Sequence, residues 1–259
     1  MIELVLKTYK SILSFVVKNQ IRSESPEGNL KTPVDLLWFV LEFAITFEKV
    51  FGAIALKLLP PCYWESDNEW RIPLLDLSMS PAALPLPFIP WGSQSQSRLM
   101  RGTWHCYVED FKFEGLWNNP EKLLTSKPLC VVEPNFSIPW DAPGAIALYQ
   151  IYRKRHCARY WQAQGIFTLV DLNVDYAHES LNLLGVPKGW AAYCTRGSCW
   201  DEEILKHQWA IAQNHSGKEK PLFVVYAGGK KVESLCRHEG WQYFDTYRGS
   251  MTYRGSVSG

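Results

Sequence analysis

Between Gly102 and Gly229 short runs of apolar, β-branched and aromatic residues recur along the chain: TWHCYV, LCVVEPNF, GIFTLVDLNV, GWAAYCT and PLFVVYAGG. Each has the length and composition of a strand. Between the last four lie segments of helical character, at about 143–164, 176–184 and 201–214. Strands alternating with helices indicate βαβ units, in which parallel strands are joined by crossover helices. The predicted fold class is α/β, with a parallel-stranded βαβ core over residues 102–243 that forms an open sheet or a partial barrel.

The flanks have different patterns. Residues 1–59 hold two amphipathic or apolar stretches, Leu4 to Val17 and Val34 to Leu59, separated by the polar run RSESPEGNLKTP. They predict an N-terminal helical hairpin or cap. The second stretch approaches the length of a bilayer span, but Asp35, Glu42 and Lys49 interrupt it at seven-residue spacing. One narrow charged stripe on an otherwise apolar helix fits packing against protein better than lipid. Residues 60–101 are rich in proline, at 60, 61, 73, 81, 85, 87 and 90. Proline lacks the amide donor and fixes φ, so this stretch reads as an extended arm and neither a regular helix nor a central strand. Residues 244–259 read as a flexible tail.

Composition narrows the function classes. Lys plus Arg number 27 against 26 Asp plus Glu, so no global field draws the protein to polyanions and any nucleic-acid contact must be local. The seven cysteines lack the Cys-x-x-Cys spacing of zinc sites and read as reduced thiols of a cytoplasmic protein. The start MIELVLKTYK lacks the features of a secretory signal. Aromatic residues make up 14% of the chain, enough to supply stacking surfaces as well as core.

In parallel α/β folds ligands gather at the carboxyl ends of strands. Those ends carry Glu133 and Asn135, then Asp171, Asn173 and Asp175, then Thr195 and Arg196, then Tyr226 with Gly228 and Gly229. Glu133, Asp141 and Asp171 are the candidate catalytic carboxylates, and no metal site or cofactor is specified. Helix residues Arg153, Arg155 and Arg159, with Arg196, are the candidate nucleic-acid or anion-binding set. At 100° per residue Arg155 and Arg159 share a face while Arg153 points nearly opposite, so at least one must lie against the fold and pair with a carboxylate, Asp141 or Asp171 being nearest in topology. Ser137, Ser180 and Ser198 sit in no nucleophile-elbow motif, the six histidines form no paired metal motif, and the Gly228-Gly229-Lys230-Lys231 run fits either an anion-binding helix start or a turn.

The run YVEDFKFEGLWNNPEKLL at 107–124, PNFS at 134–137, Asp141, Pro143, YRKR at 152–155, YWQ at 160–162 and Gly165-Ile166 together resemble a bacterial family known as domain of unknown function 4417. The resemblance covers about residues 71–229. It departs from the family at Asn135, where the family usually has Asp, and at DLNV, where the family has a Trp after this strand. The resemblance implies a phage or plasmid context and no particular chemistry. The leading expectation is therefore an accessory protein of a mobile element in a nucleic-acid transaction such as replication, touching DNA or RNA through a local basic patch. An enzyme using the strand-end carboxylates, for a small molecule or with a metal, is the first alternative. A protein-interaction module using the N-terminal helices is the second.

Overall fold

The computed structural model describes residues 64–92, 101–197 and 202–246. The expected helices within 1–59 and most of the tail lie outside the described residues, as do Cys62, Ser198 and Cys199.

Seven strands form one sheet in the order of the chain: β1 (Phe88–Pro90), β2 (Thr103–His105), β3 (Cys130–Val132), β4 (Phe167–Asp171), β5 (Ala192–Arg196), β6 (Leu222–Tyr226) and β7 (Gln242–Phe244). Every neighbouring pair is parallel. The strands ending at Asn135, Asp171, Thr195 and Tyr226 are thus parallel neighbours, as their helical crossovers predict. A strand order that never reverses curls the sheet in one sense, and the Phe88 ring on β1 stacks on Phe244 of β7 with centroids 4.8 Å apart. The sheet is nearly closed, the partial-barrel alternative of the two.

Register explains the layers. The in-register set Phe88, Thr103, Cys130, Phe167 and the set Asp171, Cys194, Val224, Gln242 place residues of one parity on one face. That face is the interior of the curl, where Cys130, Val132, Leu169, Ala192, Cys194 and Val224 form a packed cluster with Phe88 and Phe244. Small Cys and Ala side chains leave room for the larger rings of His105, Tyr107 and Tyr226. The other parity faces the helices. Val170, Tyr193, Phe223 and Val225 pack with Trp190, Leu205 and Trp241, and Trp104 and Val131 pack with Phe113, Leu116 and Trp161. Burial on both faces is why the strands read as near-continuous apolar runs.

Five α-helices accompany the sheet among the described residues: α1 (Gly115–Asn118), α2 (Gly144–Gln162), α3 (Glu179–Asn182), α4 (Glu202–Ser216) and α5 (Gly229–Glu239). None is long and apolar enough to cross a membrane. Gly228, with φ near +101°, turns the chain into α5, so the two glycines open a helix.

The proline-rich arm is more than a strap. Its end supplies β1, an edge strand in which Pro90 needs no amide on its outer side. Thr103 N–H donates to Pro87 O at 2.9 Å and Trp91 N–H to His105 O at 2.8 Å, fastening it to β2. Further back, Leu75 N–H donates to Gly185 O at 2.8 Å, and Asp76 N–H to Gln162 Oε1 at 2.9 Å. Gly185 holds φ near +73°, and a Cβ there would stand 2.2 Å from Pro73 O. Gly185→Ala is therefore expected to lower stability by about 1–3 kcal/mol. Gly144→Ala, whose Cβ would meet nothing within 4 Å, is expected to stay within about 1 kcal/mol of the parent. Denaturant unfolding of the two variants compares them, and equal effects would refute the docking role given to Gly185.

Candidate functional site

α2 crosses the sheet with its cationic run turned inward. Arg155 and Glu133 are both fully buried and form an ion pair at the end of β3. The same guanidinium donates from Nε to Leu184 O at 3.0 Å and from its other nitrogen to Asn182 O. Glu133 also accepts from Asp171 N–H at 3.1 Å, which ties the end of β3 to the end of β4. Beside it the Lys154 ammonium donates to Asp171 Oδ2 at 3.3 Å and to Asp171 O at 3.2 Å. Asp171 accepts from Tyr107 O–H at 2.8 Å and from Asn173 N–H at 3.1 Å. With its amide assigned in the orientation that satisfies both of its groups, Asn135 donates to Asp171 Oδ2 and to Asn173 O, each at 3.2 Å, and accepts from Asn173 Nδ2 at 3.1 Å. Asn182 Nδ2 completes the set on Asp171 O at 3.0 Å.

Glu133, Asp171 and Asn135 therefore do converge at the carboxyl ends, but as one hydrogen-bonded unit with two cations. Asp141 stands apart, exposed in the turn before α2. Arg153 is buried against the Phe136 ring, 3.9 Å from its centroid, and is paired with Glu114. Arg159 lies over the Trp64 ring at 4.9 Å and helps hold the Asp76 carboxyl below its usual range, behind the larger effect of the Ser78 hydroxyl. Arg196 is exposed at the end of β5 and adds a small attraction to the larger effect of Lys112, which holds the Glu109 carboxyl below its usual range. Sequence topology points to Asp141 or Asp171 as the carboxylate partner of at least one of Arg153, Arg155 and Arg159. The partners found are Glu114 and Glu133, because α2 runs over the end of β3 and Lys154 takes Asp171.

Two contributors were not singled out from the sequence. Lys154 sits between two arginines, and three consecutive helical residues span about 200°, so the run as a whole cannot be solvated. Tyr107 follows His105 by two, and strand alternation puts both in the interior.

Other reactive groups are subdued by burial. It pushes the thiols of Cys130, Cys157 and Cys236 up to about 12, and those of Cys106 and Cys194 well above their usual range, so these cysteines stay protonated. Among the described residues no three of His, Cys, Asp and Glu come together to hold a metal ion. His105, stacked on Phe88 at 4.4 Å, accepts from Tyr107 N–H at 3.3 Å and leaves Nε2 without a partner among the described residues.

The family described as Domain of unknown function (DUF4417) matches residues 64–198. A protein named Gene 1 protein of Mycobacterium phage D29 is 40% identical over 126 residues, covering 41% of this chain and 46% of the relative. The Gene 1 protein of Mycobacterium phage L5 is 37% identical over 106 residues, covering 40% and 46%. The chain thus spans about half the length of the curated relatives it matches, and those relatives are proteins of mobile elements. No solved structure matches.

The buried imidazoles generate a pH dependence. Burial holds His105 down to about 3 and His156 and His215 down to about 4, against 6.5 for the free ring. As pH falls below about 6.5 the unfolded chain takes up protons that the folded chain refuses, so stability present above that pH is lost progressively towards pH 4. Both ring nitrogens of His156 are buried without partners among the described residues. His156→Phe should keep stability at pH 7 and reduce the fall between pH 6.5 and 4 by about one proton's worth of slope. Urea unfolding across that range measures it, and an unchanged slope would count against a neutral buried His156.

Proposed function

This chain belongs to the family described as Domain of unknown function (DUF4417), and from that premise we propose that it serves a nucleic-acid transaction of a mobile element, such as replication, by holding single-stranded nucleic acid at the carboxyl ends of β2 and β3. The observation that carries the reading is a group of large rings left in solvent there. Phe111 is 78% exposed, Trp140 72% and Tyr149 45%. The segments that carry them are fastened together, since Ser137 donates from N–H and Oγ to the Asp110 carboxylate, each at 2.9 Å, and Gln150 of α2 donates to Ser137 O at 3.3 Å. Exposed rings on segments tied to one another suit unpaired bases, which stack at about 1–3 kcal/mol each.

Charge sets how such a strand would be held. Arg155 is engaged by buried Glu133, Arg153 by half-exposed Glu114, and Lys112 by Glu109. Arg196 is exposed at the same end of the sheet and is the candidate phosphate contact. Stacking then supplies most of the affinity, and salt dependence is shallow.

A second reading has its own support. Asp171, a strand-end carboxylate surrounded by Tyr107, Lys154 and Asn135, has the polar surroundings of a site for a small molecule at the mouth of the curled sheet. In that reading Glu133 holds Asp171 in place, and exposed Asp141 lies outside the cluster.

Fluorescence anisotropy with labelled oligo-dT tests the first reading. Phe111→Ala and Trp140→Ala should each weaken binding roughly 5- to 150-fold with little change in melting temperature. Arg196→Ala should reduce the salt slope by about one ion. No binding by the parent at low salt, or binding indifferent to both ring substitutions, would reject it in favour of the small-molecule reading.

A further inference from the structure

The turn that carries Trp140 also carries a carboxylate. Ala142 N–H donates to Pro139 O at 3.0 Å, so Trp140 and Asp141 are the two central residues of one β-turn, and both are exposed. The turn is held from outside as well, because Nε2 of the His178 ring meets Pro139 O at 3.2 Å. Prolines at 139 and 143 limit its backbone further. Consecutive Cα atoms lie about 3.8 Å apart, which puts the Asp141 carboxylate within reach of the edge of a base stacked on the Trp140 ring. Asp141 makes no hydrogen bond or ion pair with the described residues.

Its acidic neighbours on the ring-bearing segments differ. Glu109 is paired with Lys112, Glu114 with Arg153, and the Asp110 carboxylate accepts from Ser137 N–H and Oγ. Those two cations are therefore already engaged, and the carboxylate left unanswered beside the rings is that of Asp141. An ionised aspartate only accepts hydrogen bonds. Set against the edge of a stacked base, it suits an exocyclic amino group and opposes a carbonyl. Towards the phosphates of any strand the same charge is repulsive. It thus discriminates between bases while lowering affinity for strands in general.

We propose that Asp141 is a specificity residue for the strand held on these rings, favouring bases that carry an exocyclic amino group, cytosine among the pyrimidines, over the keto pyrimidines thymine and uracil. The inference rests on the nucleic-acid reading above and adds to it which bases the rings accept. Cytosine and uracil isolate the contact. They share ring size and stacking area, and they differ in presenting an amino donor or a carbonyl on the same edge.

Fluorescence anisotropy of the full chain with labelled oligo-dC and oligo-dU at neutral pH tests the assignment. The parent should bind oligo-dC about fivefold more tightly, the low end for a base-edge contact because this one is open to solvent. Asp141→Asn should bring the two affinities within about twofold of each other, mainly by tightening oligo-dU as the repulsion is removed, with the melting temperature unchanged. Ring-dependent binding that is equal for the two strands, tighter for oligo-dU, or still selective in Asp141→Asn would overturn this inference and leave the nucleic-acid reading standing. Binding of neither strand, or binding indifferent to Phe111→Ala and Trp140→Ala, would overturn both.

Discussion

The molecule depends on the way α2 delivers two adjacent cations into the carboxyl ends of β3 and β4. Arg155 meets Glu133 and Lys154 meets Asp171, with all four side chains essentially out of solvent. Taking such charges out of water is costly, and their mutual attraction roughly offsets that cost, so the pairs add little net stability compared with an apolar core. What they add is geometric. Each charge tolerates only the arrangement that pairs it, so the helix has one axial position over the sheet. Glu133 then reaches Asp171 N–H, and Arg155 reaches the carbonyls of Asn182 and Leu184. One guanidinium thereby fixes β3, β4 and the segment containing α3.

From that anchor the placement of the surrounding segments follows. Asn182 carries the network into α3, because its amide nitrogen donates to Asp171 O while its backbone carbonyl accepts from Arg155. On the other side Arg153 leaves the same helix toward Glu114 and covers the Phe136 ring, which fixes the loop whose Ser137 binds Asp110 and which carries Trp140. Exposed rings on loops are usually mobile, but these loops are tied to one another and to α2 through named hydrogen bonds. The polar interior acts as a scaffold for recognition at its edges.

The sequence made the central strands legible for a physical reason. Strands buried on both faces along most of their length, such as FTLVD and LFVVY, are predominantly apolar, and that signal does not depend on partners. β1 and β7 escaped because each is three residues long, lies at a sheet edge and, in β1, ends in proline. α5 was visible only through Gly228 at its start, since GKKVESLCRHE buries just Val232 and Cys236. The convergence of Glu133, Asn135 and Asp171 was readable from strand ends. The pairing of Arg155 with Glu133 was not, because helical geometry gives the direction of a side chain but not which neighbouring strand end lies beneath it.

The most direct test of this account is a double-mutant cycle on the anchor, using Arg155→Met, Glu133→Leu and the combined variant, read by denaturant unfolding at neutral pH. Each single change should cost about 3–5 kcal/mol by leaving a buried charge alone, and the combined change should recover most of that loss, giving a large coupling energy. Single variants within about 0.5 kcal/mol of the parent, or losses that simply add, would contradict the claim that this pair fixes α2 on the sheet.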